Sequence, residues 1–308
     1  MNRVGAALIS IEGITAFVAV IEAGSVSEAA RRLRLSKSVV SERLTVLERS
    51  LGGKLIHRTT RKLTLTEDGV TFLESARKIL HEVTEASSTM LERKGTLTGP
   101  LRISAPVTFG RMHLGPAIYS FLKLHPQIVL TLDIDDRRVD VASEGYDAIV
   151  RNGPILDSRL VAWKLARSRR ILSASPAYLR MHGKPSTLAE LEQHQGLFYT
   201  NRGVADWQFQ GPEGPVIIRG KLAMGINNGD MLRDAAIAGL GVVLLPSFIA
   251  APAISDGLLE EIDVGLKPEP EFIYMAHPEG RNPSVKLRAL AEHLRQQFGD
   301  PPYWDPAI

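Results

Sequence analysis

The sequence predicts an α/β chain in three parts: a mostly helical head over residues 1–66, a long linker helix over 67–94, and a two-lobed α/β body over 95–308. Three observations lead there. The 308 residues suffice for about two domains at the usual ~100–200 residues each. Apolar positions recur at helical spacing up to about residue 90, then give way to apolar runs alternating with helical stretches. The charge is also uneven: residues 1–66 carry 11 Lys and Arg against 5 Asp and Glu, hence +6, leaving −3 for the rest of a chain whose total is +3. A basic head on a slightly acidic body points to a polyanion partner for the head.

Composition closes several classes. With 44% hydrophobic residues and 23% charged, the chain is not a disordered one. The absence of cysteine excludes disulfides, thiolate metal sites, Fe–S clusters, a cysteine nucleophile and a thiol redox switch. Residues 4–23 are apolar but interrupted by Glu12 and Glu22, without a cleavage site, so neither export nor a membrane partner is expected, and the location expected is cytoplasmic. No Walker loop, G-x-S-x-G or H-E-x-x-H occurs, and the eight histidines lack metal-ligand spacing. No catalysis, cofactor or metal site is therefore expected.

In the head, Ile11, Ile14, Phe17, Val18 and Ile21 share one face of a helix over 10–23, with Ser10 to cap its start and Gly24 past its end. Ser25 and Glu28 form a capping box that opens a short helix burying Ala29, Ala30 and Leu33. Ser36 then caps a third helix to about Ser50, with Val40, Leu44 and Leu47 inward. Lys37, Ser38, Ser41, Glu42 and Thr45 lie on its other side, and Arg43 lies near the edge. Two short helices joined by a tight turn make a helix-turn-helix, whose second helix fits the major groove of double-stranded DNA. Residues 54–65 alternate around a basic tip like a β-hairpin wing. There Arg58, Thr60, Arg61 and Lys62 would meet phosphates or enter the minor groove.

Along the linker, Val70, Leu73, Ala76, Leu80, Val83, Ala86 and Met90 recur at spacings of three and four, a heptad seam. About 28 residues give a helix ~42 Å long. Such a seam packs either on its own domain or on a second copy. The second is preferred, making Val70, Leu73, Leu80, Val83 and Met90 dimerisation candidates.

Beyond the break at 95–100, strands at 101–105, 128–134 and 147–150 alternate with helices at 115–124 and 138–144. A second block has strands at 170–174, 196–199, 216–224 and 242–245, with helices near 176–181, 188–193 and 229–238. A strand at 272–276 and a helix at 284–298 close the chain. This order predicts parallel-sheet units in two lobes, about 100–168 plus 273–308, and 169–272, around a hinged cleft.

Residues 16–69 resemble the winged head of LysR-type transcriptional regulators, in the ordered pieces 17–30, 35–41, Leu47-Glu48, Leu51-Gly52, 58–61 and 65–69. Lys37, where the family commonly has Gln, and Glu42, where it often has a basic or polar residue, depart from the pattern. The body resembles the effector domain of the same family, itself similar to type 2 periplasmic-binding proteins. That resemblance implies a sequence-specific DNA-binding regulator, assembled as a homodimer and then a homotetramer, with a small-molecule effector in the cleft. Carried over by residue, it assigns the effector to Ser104, Pro106, Thr108, Asp135, Arg151, Thr200, Asn201 and Asn227. Arg151 suits a carboxylate, and Thr108 and Asn227 precede helices whose free amides attract one. An organic acid or aromatic metabolite is expected. Two alternatives stay open: a ligand-independent regulator whose body only assembles, and a cytoplasmic solute-binding or enzymatic α/β protein.

Overall fold

The structure is a computed structural model that describes residues 9–58, 63–92, 96–137, 139–141, 143–279 and 283–305. The chain forms two compact units. One is Met1–Gly99 with Ala142–Gly145, and the other is Pro100–Val141 with Tyr146–Ile308.

In the first unit, α1 (Ile11–Ala23) is capped by Ser10, which accepts from Gly13 N at 3.0 Å, and ends on Gly24 in the left-handed region. Helix α2 (Val26–Leu33) is capped by Ser25, but the expected reciprocal half of its capping box does not form. The Glu28 carboxylate turns instead to Arg31 and Arg32, whose guanidinium groups make charge-assisted bonds of 2.7–3.2 Å. Arg34 closes α2 with φ +55°, a position usually held by glycine, and so sets the turn into α3 (Lys37–Leu51). Phe17, Val20, Val40, Leu44 and Leu47 form the core where the three helices meet. The wing is an antiparallel pair, β1 (Ile56–Arg58) and β2 (Leu63–Leu65).

The linker helix α4 (Glu67–Glu92) begins on the head itself. Ala76 is fully buried, Phe72, Leu73 and Leu80 pack against the head core, and the Phe72 ring lies 5.6 Å from that of Phe17. Leu73 and Leu80 are thus partly spent inside their own head. Val70, Ile79 and Val83 stay exposed.

The second unit holds two five-stranded sheets. The first has the order β4-β3-β5-β14-β6, from β3 (Gly99–Ala105), β4 (Ile128–Ile134), β5 (Ala148–Asn152), β6 (Leu160–Ser168) and β14 (Glu271–Pro278). The second has the order β11-β8-β12-β7-β13, from β7 (Arg170–Ala174), β8 (Gln195–Tyr199), β11 (Lys221–Ile226), β12 (Val242–Pro246) and β13 (Glu260–Glu261). Both sheets are mixed rather than parallel. β3 runs parallel to β5, and β8 to β11 and β12, but β14 opposes β5 and β6, and β7 opposes β12 and β13. The reversals fall on β7, where the chain enters the second lobe, and on β14, where it returns.

Two further expectations fail for identifiable reasons. No helix forms at 138–144 among the described residues; Val139 and Val141 dock beside Tyr146 and Ile149, and Gly145 turns the chain at φ +71°. The single strand expected at 216–224 is two, β10 (Gly214–Ile217) and β11, broken at Gly220, where a Cβ would stand 3.1 Å from the Trp207 ring. β10 pairs with β9 (Gln208–Gly211) in a hairpin that the sequence reading did not contain. Strand β6 and helix α10 (Ser247–Ser255) were likewise unforeseen.

The remaining helices cover the sheets. A continuous helical stretch runs through α5 (Val107–Phe109), a π-turn at Gly110–Leu114 and α6 (Gly115–Leu124). The others are α7 (Pro176–His182), α8 (Leu188–Leu191), α9 (Gly229–Ile237) and α11 (Val285–Phe298). No single helix among the described residues is long and apolar enough to cross a membrane.

Candidate nucleic-acid interface and ligand cavity

The face of α3 away from the head core presents Lys37, Ser38 and Glu42 fully exposed, with Ser41 and Arg43 half-buried beside them. Ser36 spends its hydroxyl on the cap, accepting from Val39 N at 3.3 Å, and shares a 2.8 Å bond with the Ser38 hydroxyl. Short polar side chains on the first turn leave room for a base edge to approach the helix. Thr60, Arg61 and Lys62 lie outside the described residues, and Arg58 is placed only as the end of β1.

One residue that the sequence reading did not single out for the site fixes the wing to this helix. Glu48, 4% exposed, accepts from Leu55 N at 3.1 Å and Ile56 N at 3.4 Å, and pairs with Lys54 Nζ at 2.7 Å. A glutamate at an inward heptad-like position before a Gly-Gly stop was the available signal.

In the second unit, a cavity of about 800 Å³ opens between the lobes and spreads over one face of the first sheet. Pro106, Thr108, Arg151 and Asn201 line it, as expected. Ser104, Asp135, Thr200 and Asn227 do not. Ser104 is fully buried behind the wall, where its hydroxyl accepts from Arg151 Nη2 at 2.9 Å. Asp135 faces outward and pairs with Arg137, while Asp136, one residue on, turns inward. Thr200 is exposed, and its neighbours Tyr199 and Asn201 face the cavity. Asn227 is exposed too; Asn228 is the cap of α9, accepting from Met231 N at 3.0 Å. The errors at Asp135 and Asn227 have one cause: adjacent residues just past a strand point to opposite sides, and spacing alone does not give the phase.

The first amide of α5 and the Thr108 hydroxyl are both engaged by acids of the protein. Pro106 occupies the cap position, Val107 N donates to Asp136 Oδ1 at 3.0 Å, and the Thr108 hydroxyl donates to Asp230 Oδ2 at 3.1 Å. Asp136 also receives Asn228 Nδ2 at 3.4 Å, and its backbone carbonyl receives Asn201 Nδ2 at 2.8 Å. These bonds join the two lobes. Deeper in, Arg202 grips Glu271 bidentately, and the fully buried Arg170 is held by Asp206 at 2.8 Å and the Leu244 carbonyl at 2.7 Å. Burial and the like charge of Arg202 depress the Arg170 pKa, against the pull of Glu271 and Asp206.

Arg151 differs from both. Its guanidinium donates to Ser104, to the Val150 carbonyl at 2.8 Å and to the Arg137 carbonyl at 3.3 Å. No carboxylate among the described residues lies within ion-pair distance, and of its five N–H donors three are used. Burial lowers its pKa, while Asp136 and Asp135 raise it through space. It remains a cation, held rigidly by neutral partners and facing a cavity. Among the described residues no cluster of three or more His, Asp and Glu is placed to hold a metal ion.

A winged helix-turn-helix followed by a two-lobed α/β body with an interlobe cavity is the architecture of a DNA-binding transcriptional regulator with an effector-binding domain. The comparisons agree. The "Bacterial regulatory helix-turn-helix protein, lysR family" model matches residues 11–70, and the "LysR substrate binding domain" model matches residues 94–299. The chain belongs to the LysR family of transcriptional regulators. It is 32% identical to the transcriptional regulator DmlR of Escherichia coli K12, over 94% of this chain and 95% of that one. It is 34% identical to PtxR of Pseudomonas aeruginosa, over 96% and 95%. The solved structure of CrgA, a LysR-type transcriptional regulator from Neisseria meningitidis, superposes with a TM-score of 0.56 at 30% identity, covering 92% of this chain and 98% of that one.

Proposed function

We propose that the protein is a cytoplasmic, self-associating regulator whose DNA binding is controlled by an organic acid or aromatic metabolite held in the interlobe cavity. The single observation that carries the effector reading is Arg151, a half-buried guanidinium with open donors and no ion pair on the wall of that cavity. A carboxylate is the group that matches it bidentately. In this reading residues 1–66 bind operator DNA through Lys37, Ser38, Ser41, Glu42 and Arg43, with the cap residue Ser36 and the wing residues Arg58, Thr60, Arg61 and Lys62. Residues 67–94 join two copies along the stripe left open by Val70 and Val83, with Leu73, Leu80 and Met90 contributing. Residues 95–308 sense the ligand, and closure of the cleft on it biases which assembly binds DNA. The ligand-independent alternative leaves the Arg151 arrangement without a purpose.

The test combines two measurements. Mobility shift on the DNA upstream of the protein's own gene, repeated at rising salt, should show a specific complex whose affinity falls linearly on a log–log plot. Thermal unfolding with a panel of carboxylates should raise the melting temperature for those bound by the folded state alone. A folded sample with no specific shift at any ionic strength overturns the regulator reading; DNA binding that no metabolite alters favours the ligand-independent one.

A further inference from the structure

The cavity is larger and more apolar than a small acid needs. Its roughly 800 Å³ lies toward the upper end of the ~300–1,000 Å³ spanned by drug-sized ligand sites. Its lining also changes character from one end to the other. Close to Arg151 stand Asp136 and Tyr199, and Asn201 donates to the Tyr199 hydroxyl at 3.2 Å. Two residues back along β5, on the same face of the sheet, stands Ile149. From there the wall is Val139, Ile155, Leu156 and Leu160. On the neighbouring strand Ala276 stands opposite Ile149, and Tyr274 stands opposite Arg151.

Two further features agree. Ile155, Leu160 and Val139 pack on a small cluster of Val141, Tyr146, Ile149 and Ala276, separate from the larger cores. Leu156, at the rim, leaves 74% of its surface in solvent although it lines the cavity. A large apolar side chain so exposed at a cavity mouth gains only when an apolar body covers it.

The other charges in the lining are largely engaged. Arg170 is held by Asp206 and Arg202 by Glu271; Asp136 receives Val107 N and Asn228 Nδ2; Asp157 pairs with Arg159 at 2.8 Å. Glu269 is the remaining acid. The arrangement is therefore a cationic anchor at one end of an apolar trough.

We propose that the effector is an amphiphilic monocarboxylate. Its carboxylate sits on Arg151, and its apolar chain runs along β5 past Ile149 and under residues 155–160 to Leu156. Two residues of strand span roughly 7 Å, so a chain of about six to ten carbons passes Ile149 and reaches the rim. This inference rests on the reading of the cavity as the effector site and narrows its ligand class.

The test is calorimetric titration of the full-length protein with acetate, hexanoate, octanoate and decanoate below their micellar concentrations, beside benzoate and octyltrimethylammonium. Affinity should rise about three- to fourfold per added methylene from hexanoate to decanoate, as apolar burial dictates. Arg151→Gln should weaken decanoate at least tenfold. Leu156→Ser, an uncharged change at an exposed position, should flatten the chain-length series. Binding of benzoate or acetate with no dependence on chain length overturns this inference and leaves the effector reading standing. So does octyltrimethylammonium binding as tightly as octanoate, or an Arg151→Gln variant that binds decanoate like the parent. A folded protein that binds none of the panel overturns the amphiphile; if the wider metabolite panel also fails, the effector reading falls with it.

Discussion

Arg151 Nη2 donates to the Ser104 hydroxyl at 2.9 Å, across two neighbouring parallel strands of the first sheet. Ser104 is fully buried and does not itself line the cavity, yet it fixes the guanidinium that does. Ser104→Ala removes that acceptor and leaves Nη2 with only the 3.3 Å bond to the Arg137 carbonyl. The expected loss of stability is about 1 kcal/mol. Effector affinity should fall several-fold, read by calorimetry with whichever carboxylate binds the parent. Unchanged affinity would show that Arg151 needs no such support.

Glu48 should matter more than its ion-pair partner. Lys54 is 71% exposed, so its charge is screened and Lys54→Ala should cost under about 1 kcal/mol. Glu48→Ala instead strands the amides of Leu55 and Ile56 in the head interior, at about 2–4 kcal/mol. Chemical denaturation of the two variants measures the contrast. Equal effects would place the energy in the salt bridge rather than in the amides.

Arg34 sits in the left-handed region with φ +55° at the turn between the two helices of the motif. Arg34→Gly should stabilise the head by about 0.5–1 kcal/mol through relief of that conformation. Arg34→Val should destabilise it by at least about 1 kcal/mol, because a branched Cβ fits the region worst. If both variants melt like the parent, the turn carries no strain.

His113 is buried among Phe109, Phe248, Tyr303 and Trp304, with Nδ1 2.7 Å from the Tyr303 hydroxyl. Burial lowers its pKa below the ordinary 6.5. Above that value the imidazole is neutral in both folded and unfolded chains, and its stabilisation is fully present. As pH falls below about 6.5 the unfolded chain takes up the proton first, and stability is lost until the folded group also titrates. The stability difference between the parent and His113→Gln, followed by denaturant unfolding from pH 8 to pH 5, should therefore shrink with acid. A constant difference would mean that the ring does not titrate differently on folding.

Glu42 stands exposed on the side of α3 turned away from the head core, the side proposed to face the groove. A carboxylate there repels phosphate but accepts from cytosine N4. Glu42→Gln should reorder affinities among operator variants while the salt dependence of binding changes little. A uniform change across all operators, or none, would contradict the assignment.

The helical head was legible in the sequence almost to the residue, because its caps and heptad-like spacing are local. Ser10, Ser25 and Ser36 each cap the helix expected of them. The body was legible as alternating elements but not as a topology. Nothing in residues 271–278 says that the strand they form will lie antiparallel to both neighbours, since that depends on where the chain re-enters the first lobe.

The candidate site divides the same way. Residue types and approximate places came from sequence: an arginine ending the third strand, an asparagine at a helix start, an aspartate after the second strand. Which of Asp135 and Asp136, or Asn227 and Asn228, turns inward was decided by strand phase and by the pairing of Asp136 with Val107 N in its own lobe and with Asn228 across the lobes. By itself the sequence determined that a basic helix-turn-helix head precedes an α/β body, through local periodicity, capping and charge placement. Only the tertiary structure decided that Arg151 would stand unpaired beside an apolar trough, because a charge is left without a partner by what packs around it, and packing is a property of contacts distant in the chain.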